Sequence, residues 1–239
     1  NVSYAEITAQ EQHQQEIPAI PGVSRTSIPF EDGVSGDYSS IMKTETGIFG
    51  TVEDFASHGV GAAILRKLGH TPAEDEGNLQ AHPAEYIQRL DRRMAKNLKG
   101  RSIVSPGAFE IVSQPDRREI HIAKKGAMML LLDGATGKIS ELGKDLKLPV
   151  GMGMQKDIKA ETYTFKPGDM FFAGTDGVYE LADNLKDGAQ AQKARFYQMV
   201  EAAVEMHKGK PIQEISEAIL EQVEKAGRTD DVTLIAIQL

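Results

Sequence analysis

The sequence predicts an α+β fold in which two antiparallel sheets lie face to face and helices cover their outer faces. Strand-like segments precede a pair of helical segments, further strands follow, and a second helical pair and a last strand end the chain. Short turns separate most of the strands, as is typical of antiparallel neighbours. The 239 residues, 40% of them hydrophobic, are enough to build this fold as one domain.

The first third of the chain predicts a strand, a hairpin and two helices, in that order. Residues 23–30 alternate polar and apolar side chains, and residues 39–43 and 48–53 flank a Glu-Thr-Gly turn. Residues 60–68 are rich in alanine, isoleucine and leucine, and residues 83–98 repeat apolar side chains at helical spacing. Antiparallel pairing in the hairpin brings the start of its first strand close to the end of its second strand.

The middle of the chain predicts an antiparallel meander of four strands. Their segments are residues 103–113, 119–123, 128–133 and 139–142, and polar turns separate them. The third segment begins Met-Met-Leu-Leu-Leu, a continuous apolar run that is typical of a strand buried on both faces.

The last third predicts the second helical pair between strands. A Gly-rich loop at residues 148–153 is expected to be flexible and to form a rim of the site. The remaining predicted elements are strands at residues 158–165, 170–173 and 232–238 and helices at residues 188–208 and 212–226.

The two ends of the chain differ in character. Residues 1–16 are polar and Gln-rich, which is compatible with a short helix that Pro18 and Pro21 end. We expect residues 1–20 to be a linker or helix remnant of a longer chain that carries an upstream sensor or regulatory domain. Residues 21–239 form the folded domain in this interpretation.

The charge of the chain restricts the class of partner. A formal net charge of −8 and an isoelectric point near 5.3 argue against nucleic acid, which would require a basic face. No segment approaches the roughly 20 apolar residues that a membrane span requires. We therefore expect a cytoplasmic protein that does not insert directly into a membrane and whose partner is another protein.

Four aspartates follow or precede predicted strands. Asp54 lies at the end of one strand, Asp37 at the start of its hairpin partner, and Asp176 and Asp230 adjoin two later strands. Aspartates at strand ends often serve only turns and caps. Taken together, however, carboxylates at neighbouring strand ends suit magnesium or manganese. Two such ions about 3.5–4 Å apart form the clamp that is used for phosphoester hydrolysis.

Four motifs surround these aspartates; in chain order they are Gly36-Asp37-Tyr38, Asp54-Phe55-Ala56-Ser57-His58-Gly59, Thr175-Asp176-Gly177 and Asp230-Asp231-Val232-Thr233-Leu234. They resemble the motifs of the metal-dependent serine/threonine protein phosphatases, the PPM superfamily. The resemblance is to the bacterial branch named after the stage II sporulation E phosphatase and the Rsb stress-response phosphatases, and it covers roughly Ile20 to Leu239. It implies a four-layer αββα sandwich with a binuclear Mn2+ or Mg2+ centre in the cleft between the sheets.

The resemblance also implies a role for each site residue. Asp54 would bridge both ions, and the carbonyl oxygen of Phe55 would bind the first. Asp176 and Asp230 would bind the second ion, and Asp37 would be a ligand or would hold metal-bound water. The water between the ions would be the nucleophile, so no covalent phosphoenzyme is expected.

Several residues keep more than one interpretation. His58 would be either a general acid for the leaving serine oxygen or a turn histidine bonded to backbone. Asp231 would be an outer residue of the site or uninvolved, and Glu53 stands where the family usually has glycine, on a strand position that should face away from Asp54. Lys124 and Lys125 could contact phosphate, although a solvated turn is the preferred interpretation.

The expected function is dephosphorylation of phosphoserine or phosphothreonine in a small regulatory protein of bacterial signalling. The resemblance implies a substrate such as an anti-sigma-factor antagonist in a partner-switching pathway. One alternative is a weak or silent phosphatase-fold module that only binds a signalling partner, and another is a small-molecule phosphoesterase. A silent relative usually lacks one or more of the metal-binding aspartates, and all four are present here.

Overall fold

Ten strands form two five-stranded antiparallel sheets in the computed structural model, which describes residues 20–30, 34–56, 59–69 and 82–239. The first sheet has the order β1-β10-β9-β6-β7 and the second the order β2-β3-β4-β5-β8. The first sheet contains β1 (Val23–Ile28), β6 (Met128–Leu132), β7 (Ile139–Glu141), β9 (Met170–Gly174) and β10 (Val232–Gln238). The second contains β2 (Tyr38–Lys43), β3 (Gly47–Phe55), β4 (Val104–Gln114), β5 (Arg117–Lys124) and β8 (Glu161–Thr164).

Two pairs of helices cover the outer faces of the sandwich. Helices α1 (Gly59–Gly69) and α2 (Pro83–Leu98) pack on the second sheet, and helices α3 (Ala189–Met206) and α4 (Ile212–Ala226) pack on the first. A short 3-10 turn, Asp176–Val178, follows β9. The predicted α+β fold and its four layers are confirmed.

Three apolar layers hold the sandwich together, one between the sheets and one under each helical pair. Between the sheets, the rings of Phe109 and Phe171 lie 4.7 Å apart, and Val52 and Ile235 join the same cluster. Under α2, the residues at the predicted helical spacing are buried against the second sheet. Burial of each large aliphatic side chain contributes about 1.5–3 kcal/mol, so these layers fix the sheets that carry the site.

The chain changes sheets after β5, and the predicted four-strand meander is therefore wrong. β4 and β5 form the expected hairpin, but β5 pairs next with β8, whereas β6 pairs with β9 and β7 in the other sheet. The change occurs at Gly126, whose φ of +84° reverses the chain in a conformation that L side chains rarely adopt. The apolar β6 requires cover on both faces, and an inner position in the first sheet provides it.

The other predicted elements agree with the structure to within a few residues. The largest difference is β8, which is limited to Glu161–Thr164. The helix and linker that the sequence predicts for residues 1–19 lie outside the described residues. Among the helices in the described part of the chain, none is long and apolar enough to cross a membrane.

Candidate active site at the strand ends

Four aspartates lie where the two sheets present the ends of neighbouring strands, and we call Asp37, Asp54, Asp176 and Asp230 the strand-end cluster. In the β2–β3 hairpin Tyr38 pairs with Glu53, so Asp37 and Asp54 are neighbours, as predicted. In the first sheet, the end of β9 lies beside the start of β10, which brings the segments of Asp176 and Asp230 together. The second sheet thus supplies two of the aspartates and the first sheet the other two.

The charges of these side chains act on one another. Burial raises the pKa of Asp54 to about 8, and the negative charges of Asp176 and Asp230 add to the effect. Burial, followed by the charges of Glu180 and Asp230, raises the pKa of Asp176 to about 6. The three aspartates and Glu180 therefore form one field of negative charge.

Asp37 is the most deeply buried member of the cluster, with 2% of its surface exposed. Burial raises its pKa, and the charge of Asp54 raises it further. The hydroxyl of Thr175 donates a hydrogen bond to Oδ2 of Asp37 at 2.8 Å and accepts one from the backbone N–H of Thr233 at 3.1 Å. Thr175 therefore joins the two sheets at the site and fixes the orientation of the Asp37 carboxylate.

Asp231 has a role that the sequence left open. Its Oδ1 accepts a hydrogen bond from the backbone N–H of Phe30, and its Oδ2 accepts one from that of Gly36, both at 2.7 Å. Both carboxylate oxygens are thus used to hold the segment that leads into Asp37. The side chain anchors backbone, and this accounts for an aspartate directly after Asp230.

The glycine of the Thr-Asp-Gly motif allows a close backbone approach. A Cβ atom at Gly177 would lie 2.0 Å from the carbonyl oxygen of Asp231. Only glycine therefore lets the 3-10 turn that begins at Asp176 pack against the start of β10. The motif sets the separation between Asp176 and the Asp230 segment.

Glu53 faces away from the cluster, in agreement with strand alternation. It is fully buried, and the hydroxyl of Tyr86 in α2 donates a hydrogen bond to its Oε1. Its neighbour Val52 packs between the sheets, and Phe55 packs under α2. Asp54 therefore points into the cleft between the sheets, whereas Glu53 connects β3 to the helical layer.

Arg66 is a residue at the site that sequence reasoning missed. It is fully buried in α1, and its Nη1 donates a 2.7 Å hydrogen bond to the backbone carbonyl of Asp37. The apolar pattern of α1 indicates which residues are buried, but it does not indicate that an arginine reaches from the helix to the start of β2. Helix α1 is thereby connected to the backbone of a cluster residue.

The remaining candidates have different outcomes. His58 lies outside the described residues. Lys124 is buried, with its Nζ 3.1 Å from Oε1 of Glu141 and 3.7 Å from Oδ1 of Asp145. The interpretation of Lys124 as a solvated turn residue is therefore wrong, because it lies at the end of β5 and forms ion pairs.

The chemistry of the cluster fits divalent cations, although the side chains are not arranged as a finished metal site. Among the described residues, no three or more His, Cys, Asp or Glu side chains form a group that could hold a metal ion. The donors are nonetheless carboxylate oxygens, which magnesium and manganese prefer. Asp54, Asp176 and Asp230 are only partly buried, and the pKa values of Asp54 and Asp176 are raised by burial and by neighbouring negative charges that a cation would offset.

A comparison of the sequence with known protein families identifies the family to which the chain belongs. The profile of the family Stage II sporulation protein E (SpoIIE) matches residues 45–239. The chain belongs to the SpoIIE family. This is a family of phosphatases, so the chain is a phosphatase domain, as predicted. A comparison with curated proteins found no match.

Solved structures share the fold at low sequence identity. The PP2C domain of SiaA from Pseudomonas aeruginosa is 22% identical, with a TM-score of 0.74 over 91% of this chain and 86% of that chain. The RsbU and RsbW domains of a Mycobacterium tuberculosis protein give 20% identity and a TM-score of 0.75 over 92% of this chain and 61% of that chain. RsbX in complex with magnesium gives 18% identity and a TM-score of 0.59 over 91% of this chain and 93% of that chain.

These similarities show the fold of the chain. PPM phosphatases as a class depend on metal ions, and the structure of RsbX was determined with magnesium. The assignment of individual residues of this chain to metals or to catalysis remains a prediction.

Proposed function

We propose that the chain is a metal-dependent phosphoserine/phosphothreonine protein phosphatase that acts on a small regulatory phosphoprotein of the anti-sigma-factor antagonist type. The strand-end cluster supports this proposal most directly. The four aspartates come from two sheets and lie at the open ends of the strands, and the charges that most affect Asp37, Asp54 and Asp176 are all negative. Such an arrangement costs folding stability and is typical of functional sites.

Asp54, Asp176 and Asp230 are the residues that would hold the cations, together with the carbonyl oxygen of Phe55. Two bound Mn2+ or Mg2+ ions would supply the positive charge that offsets the charge of a phosphate ester. Asp54 would be a ligand of these ions. Asp37, which Thr175 orients, would contribute as a ligand or through a hydrogen bond to water.

The two ions should be bound with different strengths. The second ion would have three carboxylates, from Asp54, Asp176 and Asp230, whereas the first would have Asp54, the Phe55 carbonyl and otherwise water. Fewer fixed carboxylates compensate less for the loss of hydration water. Calorimetric titration of Mn2+ into metal-free protein should resolve one tight and one weak site, and two equally tight sites would contradict this assignment.

Family membership supports the proposed substrate and setting. The SpoIIE match, together with the fold shared with part of a chain that contains RsbU and RsbW domains and with RsbX, supports a phosphoprotein of a bacterial partner-switching pathway in the cytoplasm. We include in the proposal an upstream sensor or regulatory domain, with residues 1–20 as its link to the phosphatase domain. Comparison of the full-length protein with residues 21–239 on one phosphoprotein would test this link, because equal rates under every signal would exclude it.

Hydrolysis of p-nitrophenyl phosphate with EDTA, Mg2+ or Mn2+ tests the core of the proposal. We expect turnover that requires the divalent cation and that Asp54→Asn abolishes. The matched control is Asp116→Asn, which removes the same charge from an exposed turn and should leave turnover unchanged. If the wild type binds a phosphoprotein but hydrolyses neither it nor the small ester at any metal concentration, the alternative of a silent binding module is correct.

A further inference from the structure

Four exposed large apolar side chains belong to two segments that contact each other near the start of β4. They are Ile103, Leu148, Met152 and Met154, with exposed fractions of 46%, 40%, 44% and 47%. We call them the Met152 surface. Isolated apolar side chains at a surface are ordinary, but a group of this kind often marks a contact with another molecule.

Helix α2 holds the loop of the Met152 surface in place. Oδ1 of the fully buried Asp91 accepts hydrogen bonds from the backbone N–H groups of Gly151, Met152 and Gly153 at 2.7–3.0 Å, and its Oδ2 accepts one from Gln155 at 2.8 Å. The loop that the sequence predicts to be flexible is therefore tied to α2 by four hydrogen bonds. Its exposed methionines are presented from a fixed backbone.

The Met152 surface adjoins the strand-end cluster. Val104 pairs with Phe55 across β4 and β3, and its N–H donates to the carbonyl of Val150 at 3.1 Å. The N–H of Ala56 donates to the carbonyl of Ile103 at 3.4 Å. Ile103 therefore lies beside Ala56, which is two residues beyond Asp54. At the usual rise per residue of a strand, this separation is about 7 Å.

The segments that form this surface are basic in an acidic chain. Residues 92–103 and 147–156 together contain seven Lys or Arg and no Asp or Glu, whereas the whole chain has a net charge of −8. The two segments are in contact, because Gly153 lies against Ala95 and Gly151 against Ile103. Arg101 and Lys147, one from each segment, are exposed.

We propose that the Met152 surface and its basic surroundings dock the segment that flanks the phosphorylated serine of the substrate, and that this segment carries acidic and aliphatic side chains. This inference rests on the proposed phosphatase function. A phosphorylated acidic segment is repelled by the net charge of the chain and by the strand-end cluster. Basic side chains beside the cluster offset that repulsion and increase the rate of encounter.

The apolar part of the surface complements this charge. Methionine side chains are unbranched and adaptable, so Met152 and Met154 can cover aliphatic side chains of different shapes. The partner therefore has to present both negative charge and apolar side chains within a few residues of the phosphoserine. A segment with only one of these properties would use only part of the surface.

Two phosphoserine peptides test the proposal against p-nitrophenyl phosphate as the reference substrate. In one peptide Asp, Glu and Leu flank the phosphoserine, and in the other Lys and Ser flank it. With Mn2+ present, we expect kcat/KM of the wild type to be about tenfold higher for the acidic peptide, a difference that should shrink as salt is added.

Two double variants separate charge from apolar contact. Arg101→Glu with Lys147→Glu should lower kcat/KM for the acidic peptide about tenfold, and Met152→Ser with Met154→Ser should lower it several-fold. Both should leave p-nitrophenyl phosphate hydrolysis unchanged, because that ester is too small to reach the surface. The controls are Lys186→Glu with Lys208→Glu, and Leu185→Ser with Met206→Ser, which make the same changes at exposed positions of α3 and its flanking loops.

The outcomes distinguish a failure of the docking surface from a failure of the proposed phosphatase function. If the wild type hydrolyses p-nitrophenyl phosphate and both peptides with equal kcat/KM, the docking surface is excluded and the phosphatase function stands. Equal losses in the control and surface variants would also exclude the docking surface. If the wild type hydrolyses none of the three substrates with Mn2+, the proposed function fails and this inference fails with it.

Discussion

The strand-end cluster and Glu141 are both acidic, but the charges around them have opposite signs. In the strand-end cluster, burial and neighbouring carboxylates raise the pKa of Asp54 to about 8. At Glu141, burial also opposes ionisation, but a hydrogen bond from Lys193, the charge of Lys124 and a hydrogen bond from Tyr197 outweigh it and lower the pKa to about 2. The charges that most affect Asp54 are negative, whereas those that most affect Glu141 are positive.

The difference indicates what each group does. Glu141 in β7 accepts hydrogen bonds from Lys124 in β5 at 3.1 Å and from Lys193 and Tyr197 in α3 at 2.8 Å, so it joins the two sheets and a helix. Its hydrogen-bonding needs are met within the chain. The strand-end cluster joins the same two sheets, but negative charges are the main electrostatic influence on Asp37, Asp54 and Asp176, a feature that is typical of functional sites.

The largest effect is expected at Asp54. Asp54→Asn removes one charge and one oxygen donor from the centre of the cluster, so kcat for p-nitrophenyl phosphate should fall on the order of 1,000-fold or more. Because the same change reduces repulsion, the metal-free variant should be at least as stable as the metal-free wild type in thermal unfolding. Full activity with an unchanged circular dichroism spectrum would refute the assignment of the cluster.

Glu141→Gln should have the opposite effect to Asp54→Asn, because it should lower stability and leave activity almost unchanged. Lys124, which is only 2% exposed at its side chain, loses its nearest anion, and this should lower the free energy of unfolding by about 1–2 kcal/mol at pH 7. Hydrolysis of p-nitrophenyl phosphate should change less than twofold. A large loss of kcat in a variant that remains folded would mean that the two groups do not have separate roles.

Asp231→Asn tests the anchor beside the cluster. An amide has one acceptor oxygen, so one of the backbone N–H groups of Phe30 and Gly36 loses its partner, at a cost of about 1–3 kcal/mol in unfolding free energy. We expect a smaller loss of kcat than in Asp54→Asn, because Asp37 is displaced but not removed. If Asp231→Asn abolished Mn2+ binding in calorimetry, Asp231 would be a ligand and the anchoring role would be incomplete.

A substrate-dependent effect is expected at His58, whose role as a general acid is still a prediction. His58→Asn should slow hydrolysis of a phosphoserine peptide, whose alkoxide leaving group requires a proton, by about 100-fold. It should hardly affect p-nitrophenyl phosphate, because the nitrophenolate leaves without protonation. Equal effects on both substrates would favour the turn histidine instead.

The elements of the fold could largely be predicted from the sequence because their signals are local. Helix α2 and helix α4 have the same bounds in the prediction and in the structure, since the apolar period and the flanking prolines act within each segment. The partner of β6 could not be predicted in this way. Its apolar run indicates burial on both faces, but only the whole sandwich determines which sheet supplies the neighbours.

The site shows the same division between local and distant information. The hairpin spacing alone predicts that Asp37 and Asp54 are neighbours, and the register of β2 and β3 agrees. The bonds of Asp231 to Phe30 and Gly36 span about 200 residues, and the bond from Arg66 to Asp37 links a helix to a strand end. Neither contact leaves a periodic signal in the sequence, so both roles depend on the folded structure.

The central claim is that the strand-end cluster is held together against its own repulsion and is completed by divalent cations. Its most direct test is thermal unfolding of the protein between pH 5 and 9, with EDTA and with Mn2+. The folded-state pKa values of Asp54 and Asp176, about 8 and about 6, lie above the ordinary value of 3.8, so the folded protein binds protons more tightly than the unfolded chain. Without metal, stability should therefore fall as pH rises from about 5 to 8, and Mn2+ should raise the unfolding temperature most at the high end of this range. A metal-free protein whose stability does not change over this range, or an unfolding temperature that Mn2+ does not alter at pH 8, would contradict the claim.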